Sequence, residues 1–209
     1  MGTSPAPRWQ RLEHDERRRQ ILLVARRLFS EESYDAVSTS EIAQAAGVAR
    51  GLLHHYFGTK RELYLEVVRT LMRMPSNPVP PERAGQGLQA VIDASVDRWL
   101  EMLAANRGTW LAAIGARGLG RDSEVEAILE QAREQAADRL VDAVCHERGI
   151  AEAPPALRAA VRAYGGFAEA ASVQWLERER LTREQLRALL VDGFLAITGP
   201  VLRAVHDAV

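Results

Sequence analysis

The stretch Gly51-Leu52-Leu53-His54-His55-Tyr56-Phe57-Gly58-Thr59-Lys60 gathers two imidazoles, a phenol and an ammonium into ten residues. Groups of these types can ligate a metal, relay a proton, or form hydrogen bonds with an anionic or polar surface. Spacing argues against a metal: adjacent residues on a helix diverge by about 100°, and none of His14, His146 and His206 stands at an interval that completes a site. Catalysis fares no better. Cys145 and His146 are neighbours whose side chains would point apart on a helix, and no phosphate loop or nucleophile with a placed base occurs elsewhere. The sequence therefore predicts a protein that is not an enzyme and takes no cofactor. What remains is a surface of phosphates and base edges, which such side chains can meet.

The elements that must position these groups are helices. Apolar residues recur at helical intervals almost throughout, with no convincing run of alternating β-branched residues, so the expected fold class is all-α. Ile21, Leu22, Ala25, Leu28 and Phe29 form one stripe on a helix from about Glu13 to Glu32. Ser38-Thr39-Ser40-Glu41 is a capping box that opens a short helix through Ala46, Gly47 supplies a left-handed turn, and a second short helix follows over Arg50 to Phe57. Two short helices about a glycine turn have the proportions of a helix-turn-helix. On the second helix Ala49, Leu53 and Phe57 should share the core face. Gly51 and His55, flanked by Leu52 and His54, should look outward. Ser38, Thr39 and Ser40 stand at a helix start suited to a phosphate, Lys60 opens the next helix, and Arg50 can reach a base edge or the backbone. Arg8, Trp9 and Arg11 are expected to belong to a mobile N-terminal tail.

Thr59-Lys60-Arg61-Glu62 is a second capping box, beginning a helix to about Met74, and the prolines of residues 75–81 predict a linker or loop. Beyond it the pattern predicts helices over about Ala84 to Ala105, Thr109 to Arg117, Ser123 to Arg148, Pro155 to Arg180 and Thr182 to Ala208, the last kinked at Gly199-Pro200. The domains drawn from this are 1–58, a helix-turn-helix head with a short arm, and 59–209, a larger helical domain. Residues 1–75 carry 12 Lys and Arg against 9 Asp and Glu, and residues 76–209 carry 15 against 19, which puts the basic end first. The single Cys145 fits a reducing compartment, and no stretch has the apolar run of a signal peptide or a membrane span. The expected location is the cytoplasm, with no membrane partner.

Ile42-Ala43-x-x-Ala46-Gly47-Val48 followed by Gly51-x-Leu53-x-x-Tyr56-Phe57-x-x-Lys60-x-x-Leu63 resembles the DNA-binding head of the TetR family of bacterial regulators. The likeness runs from about Ile21 to Val67. It implies DNA contacts by Thr39, Arg50, Gly51, His54, His55, Tyr56 and Lys60, and a variable helical domain that binds small molecules and dimerises through its last two long helices. His54-His55-Tyr56 departs from the commoner pattern of an aromatic, a variable residue and a His or Tyr. The implied protein is a repressor that holds a pseudo-palindromic operator in double-stranded DNA as a homodimer and is released by a small apolar or amphipathic effector. Effector contacts are expected from Trp99, Met102, Leu103, Trp110, Ile114, Tyr164 and Phe167, with Gly115, Gly165 and Gly166 leaving room. The alternative is a helical small-molecule or lipid-binding module without DNA recognition.

Overall fold

The computed structural model describes residues 8–72, 87–115 and 122–206, with side chains from 14 to 204. All regular structure in them is α-helix: α1 (Arg8–Glu31), α2 (Thr39–Ala45), α3 (Arg50–Phe57), α4 (Lys60–Met72), α5 (Leu88–Ala105), α6 (Arg107–Ala113), α7 (Ser123–Arg148), α8 (Pro155–Leu176) and α9 (Arg183–His206). The chain divides into two compact units, one of Met1–Met72 with Gly108–Glu126, the other of Arg73–Arg107 with Ala127–Val209.

The first unit is built on the stripe of α1. Ile21, Ala25, Leu28 and Phe29 are buried against Ile42 and Ala43 of α2, Leu53 and Phe57 of α3, and Leu63, Tyr64, Val67, Val68 and Leu71 of α4. Removing one such leucine side chain costs about 2–5 kcal/mol by opening a cavity. Gln20 Nε2 donates to the Ala46 carbonyl at 3.1 Å, tying α1 to the end of α2. Residues 108–126 join this unit at two places. Gly108 packs so closely on α1 that a Cβ there would stand 2.0 Å from the Ser30 carbonyl oxygen, and the buried Thr109 hydroxyl lies 2.9 Å from that of Ser30. Asp122, just before α7, accepts from the amides of Glu124 and Val125 and from Arg61 of α4, whose Nη2 donates at 3.0 Å and Nε at 3.2 Å.

The second unit packs α8 against α9, with α5 and α7 completing its core. Leu88, Ile92, Val96, Leu100, Val141, Val144, Leu157, Val161, Tyr164, Leu186, Leu190 and Phe194 are buried together. Arg187 of α9 reaches Asp97 at 2.6 Å and Asp93 at 2.8 Å on α5, and Arg133 of α7 reaches Glu169 of α8 at 2.8 Å.

Several expectations need correction. Residues 8–12 are helical, not a tail: the backbone of α1 starts at Arg8, because the polar run before Ile21 continues the same helical register. α8 stops at Leu176, where its last carbonyls are met by the amides of Glu177, Arg178 and Arg180 and Glu179 turns left-handed at φ 52°. α6 spans Arg107–Ala113, with Gly115 at φ 78° just beyond it. The proline-rich 75–81 and the start of the helix drawn from Ala84 lie outside the described residues.

Candidate nucleic-acid interface

The α2-turn-α3 unit is assembled from local rules. Ser38 Oγ accepts from the Glu41 amide at 3.1 Å while Glu41 Oε2 accepts from the Ser38 amide at 3.4 Å, so both sides of the capping box form. The Ser38 hydroxyl keeps its own proton for another acceptor. Gly47 takes φ 65°, the left-handed value a side chain resists, and the Val48 amide returns to the Ala43 carbonyl at 3.0 Å. α3 leaves that turn with Leu53 and Phe57 buried. Ala49 is exposed, contrary to the helical-wheel expectation, because it is the N-cap with extended backbone, φ −69° and ψ 142°, and the helical period does not reach it.

The opposite side of α3 is open. Arg50, Gly51, Leu52, His54 and His55 are exposed, with Ser38 and Ser40 exposed and Thr39 half-buried at the start of α2. Tyr56 is half-buried because two imidazoles flank it, His14 of α1 at 4.5 Å between ring centroids and His55 at 5.8 Å edge-on. His54 Nδ1 donates to the Gly58 carbonyl at 2.7 Å. The Lys60 ammonium stands 4.3 Å above the ring of Tyr34, a cation–π pair that holds this cation at the first residue of α4. Tyr34 in turn leans edge-on against Tyr64, 5.0 Å away, and lies 5.9 Å from Phe29. The arrangement connects the cation to the core. Sequence reasoning missed His14 and Tyr34 in these supporting roles, since neither lies on the helix-turn-helix and both contacts form across the fold.

Charges around α4 follow from hydrogen bonding. The Thr59 backbone amide donates to the Glu62 carboxylate at 2.7 Å and this, followed by the Thr59 hydroxyl, holds the Glu62 carboxyl below its ordinary range, while the Thr59 oxygen also accepts from the Glu62 amide. Partial burial pushes the Asp122 carboxyl up, but the Val125 and Glu124 amides and the Arg61 guanidinium outweigh it, and the net shift is downward. Burial, then the Asp35 carboxylate, raise the Tyr34 phenol.

The residues expected to meet an effector divide between the units. Trp110 is buried and Ile114 half-buried in the first unit. In the second, Met102 and Leu103 are buried on α5, and the half-buried Trp99 donates from Nε1 to Ser172 Oγ at 3.2 Å. The Tyr164 hydroxyl is spent on the Leu190 carbonyl at 3.1 Å, and the ring meets Phe194 edge-on at 5.0 Å, with Phe167 6.1 Å away. Asn106, one turn beyond Met102, was not anticipated. It is buried, its Nδ2 donates to the Met102 carbonyl at 2.8 Å, and its Oδ1 has no partner among the described residues.

A core-bound first helix, a left-handed glycine turn and a second helix with an open polar face define a helix-turn-helix protein. Residues 21–67 match the model of the bacterial regulatory proteins of the tetR family, and residues 88–197, over half of the chain, match the tetracyclin repressor-like C-terminal domain. The chain belongs to the TetR family. The HTH-type transcriptional activator FasR of Mycolicibacterium smegmatis is 44% identical over 62 residues, covering 30% of this chain and 28% of that protein. The HTH-type transcriptional repressor AcnR of Corynebacterium efficiens is 38% identical over 52 residues, covering 25% and 28%. The matched length is thus little more than a quarter of these curated relatives. A tetR-family transcriptional regulator from Streptomyces coelicolor, known as a crystal structure, superposes with a TM-score of 0.76 at 27% identity, covering 92% of this chain and 89% of that one.

Proposed function

We propose that this protein is a ligand-responsive transcriptional regulator that holds a pseudo-palindromic operator as a homodimer, acts in the cytoplasm, and is released by a small apolar or amphipathic effector. It acts as a repressor wherever the operator overlaps the promoter. The two curated relatives named above are an activator and a repressor, consistent with a sign set by where the operator lies.

The observation that carries this reading is Gly51. Glycine inside a helix is less stable than alanine by about 0.5–1 kcal/mol, yet a Cβ at this position would meet nothing within 4 Å. The backbone of Gly51 is not left-handed either. The fold has no need of a bare position there, whereas a groove floor approaching the backbone does. Around that gap stand Arg50, Leu52, His54, His55, Tyr56 and Lys60, with Ser38, Thr39 and Ser40 at the helix start, which supply donors and a cation for phosphates and base edges.

The homodimer is supported by the outer side of α8 and α9. Ala159, Ala163, Gly166 and Ala170 recur at intervals of four, three and four and are all exposed, forming a smooth stripe along α8. On α9, Leu189, Ala196 and Pro200 are exposed, and the helix is apolar enough by length and composition to pass for a membrane span, with only 28% of the relevant window buried. A four-helix interface between two copies would cover both faces. The effector reading rests on the apolar side chains of the second unit, among which the Asn106 carboxamide oxygen is an acceptor awaiting a donor. An effector loosens DNA only by its differential affinity for two dimer shapes, typically about 1–3 kcal/mol.

Selection of bound duplexes from a random pool, with and without apolar metabolites, tests the reading. The expected result is a palindromic motif retained in a salt-sensitive manner. Retention equal for all sequences would overturn it.

A further inference from the structure

The two imidazoles of α3 differ in what they have left to offer. His54 Nδ1 lies 2.7 Å from the Gly58 carbonyl oxygen. A carbonyl oxygen only accepts, so in the neutral ring the proton sits on Nδ1 and is given to Gly58, and Nε2 carries a lone pair. The ring is exposed, one turn beyond Arg50 and three residues beyond Gly51, on the side that Gly51 leaves bare. In this tautomer the neutral His54 has no N–H left for a phosphate oxygen, so its remaining capacity is to accept. In the major groove of B-DNA the base-edge donors are the amino groups of adenine N6 and cytosine N4.

We propose that His54, with its tautomer set by the Gly58 carbonyl, is a specificity-determining residue that accepts at Nε2 from the exocyclic amino group of an adenine or cytosine in each half-site. The proposal rests on the DNA-binding reading above. Among the described residues no carbonyl fixes the tautomer of His55, whose ring meets Tyr56 edge-on. That imidazole can donate and so suits a phosphate. The division of labour puts base readout on the ring whose tautomer is set and backbone grip on its neighbour.

The test uses the full-length chain at pH 8 and the duplex that the wild-type protein selects most strongly from a random pool. Each adenine is replaced in turn by purine and each cytosine by 2-pyrimidinone, which removes the amino group alone. At one position per half-site the replacement should weaken wild-type binding about tenfold, while His54→Ala binds both duplexes equally. His54→Phe, which keeps a ring and loses the nitrogens, should silence the same position and serves if His54→Ala is poorly folded. Each phosphate linkage is in turn replaced by methylphosphonate, which removes its charge; if neither variant silences any base position, or if the position silenced is such a linkage, the assignment is overturned. A wild-type protein that selects no motif removes the DNA-binding reading and this proposal with it. Sharp selection without a silenced position removes only the role of His54.

Discussion

At the scale of single residues, the informative positions are those where the fold and the surface make different demands. Leu53 and Phe57 are explained by burial. Gly51 is not, and that contrast yields a prediction. Gly51→Ala introduces a methyl group into open space within a helix, so the isolated protein should be more stable by about 0.5–1 kcal/mol. Binding to the selected operator should nevertheless weaken, by tenfold or so, the order expected when a close backbone approach is blocked. Urea unfolding and gel shifts on the same preparation read the two effects, and a variant that is stabilised and binds DNA as before would remove the case for close approach. Lys60 illustrates the reverse situation. Its charge was visible in the sequence as a grip for phosphate, but the Tyr34 ring 4.3 Å beneath it was not, because cation–π pairing depends on a turn that brings residues 34 and 60 together.

At the scale of elements, what was legible was what is local. Both expected capping boxes form, at Ser38 with Glu41 and Thr59 with Glu62, and a third forms at Thr182 with Gln185, since each needs only four consecutive residues and a helix start. The stripe of α1 and the faces of α3 follow from the same short-range periodicity. What was not legible depends on partners distant in sequence. The seating of Gly108 on Ser30 and the clamp from Arg61 to Asp122 span 78 and 61 positions, and no pattern within a window of one helix reports them. The clamp is open to a pH test. The Asp122 carboxyl titrates below its ordinary range in the folded chain, so its contribution is fully present above the unfolded value of about 3.9 and is lost as pH falls through the folded one. Asp122→Asn should therefore unfold more easily than the wild type at pH 7, by about 1 kcal/mol for a weakened cap and ion pair, and the gap should be narrower at pH 3, below the unfolded value. A gap unchanged between these two pH values in urea titrations would show that the Asp122 charge is irrelevant.

At the scale of the whole molecule, the proposed function needs two recognition helices, and a single chain has one. Two-fold symmetry is the economical solution, and it requires a self-complementary surface. The stripe Ala159-Ala163-Gly166-Ala170 is well suited to it, because small side chains let two helices approach at the short end of the usual 8–10 Å range. A charge placed in the middle of that stripe tests the idea without disturbing the single chain. Ala163→Glu exchanges one good helix former for another at an exposed site, so the unfolding of the monomer should change by less than about 0.5 kcal/mol. Two such carboxylates facing each other across a closed interface would be desolvated and mutually repelled, weakening association by about 2–4 kcal/mol, or roughly 30- to 1,000-fold. Sedimentation at micromolar concentration should then find a single chain where the wild type sediments as a pair. Operator affinity should fall along with the dimer and recover as protein concentration rises, since the recognition helices themselves are untouched. If Ala163→Glu remains paired and binds DNA unchanged, the twofold surface lies elsewhere on the molecule and the spacing of the half-sites must be set by other elements.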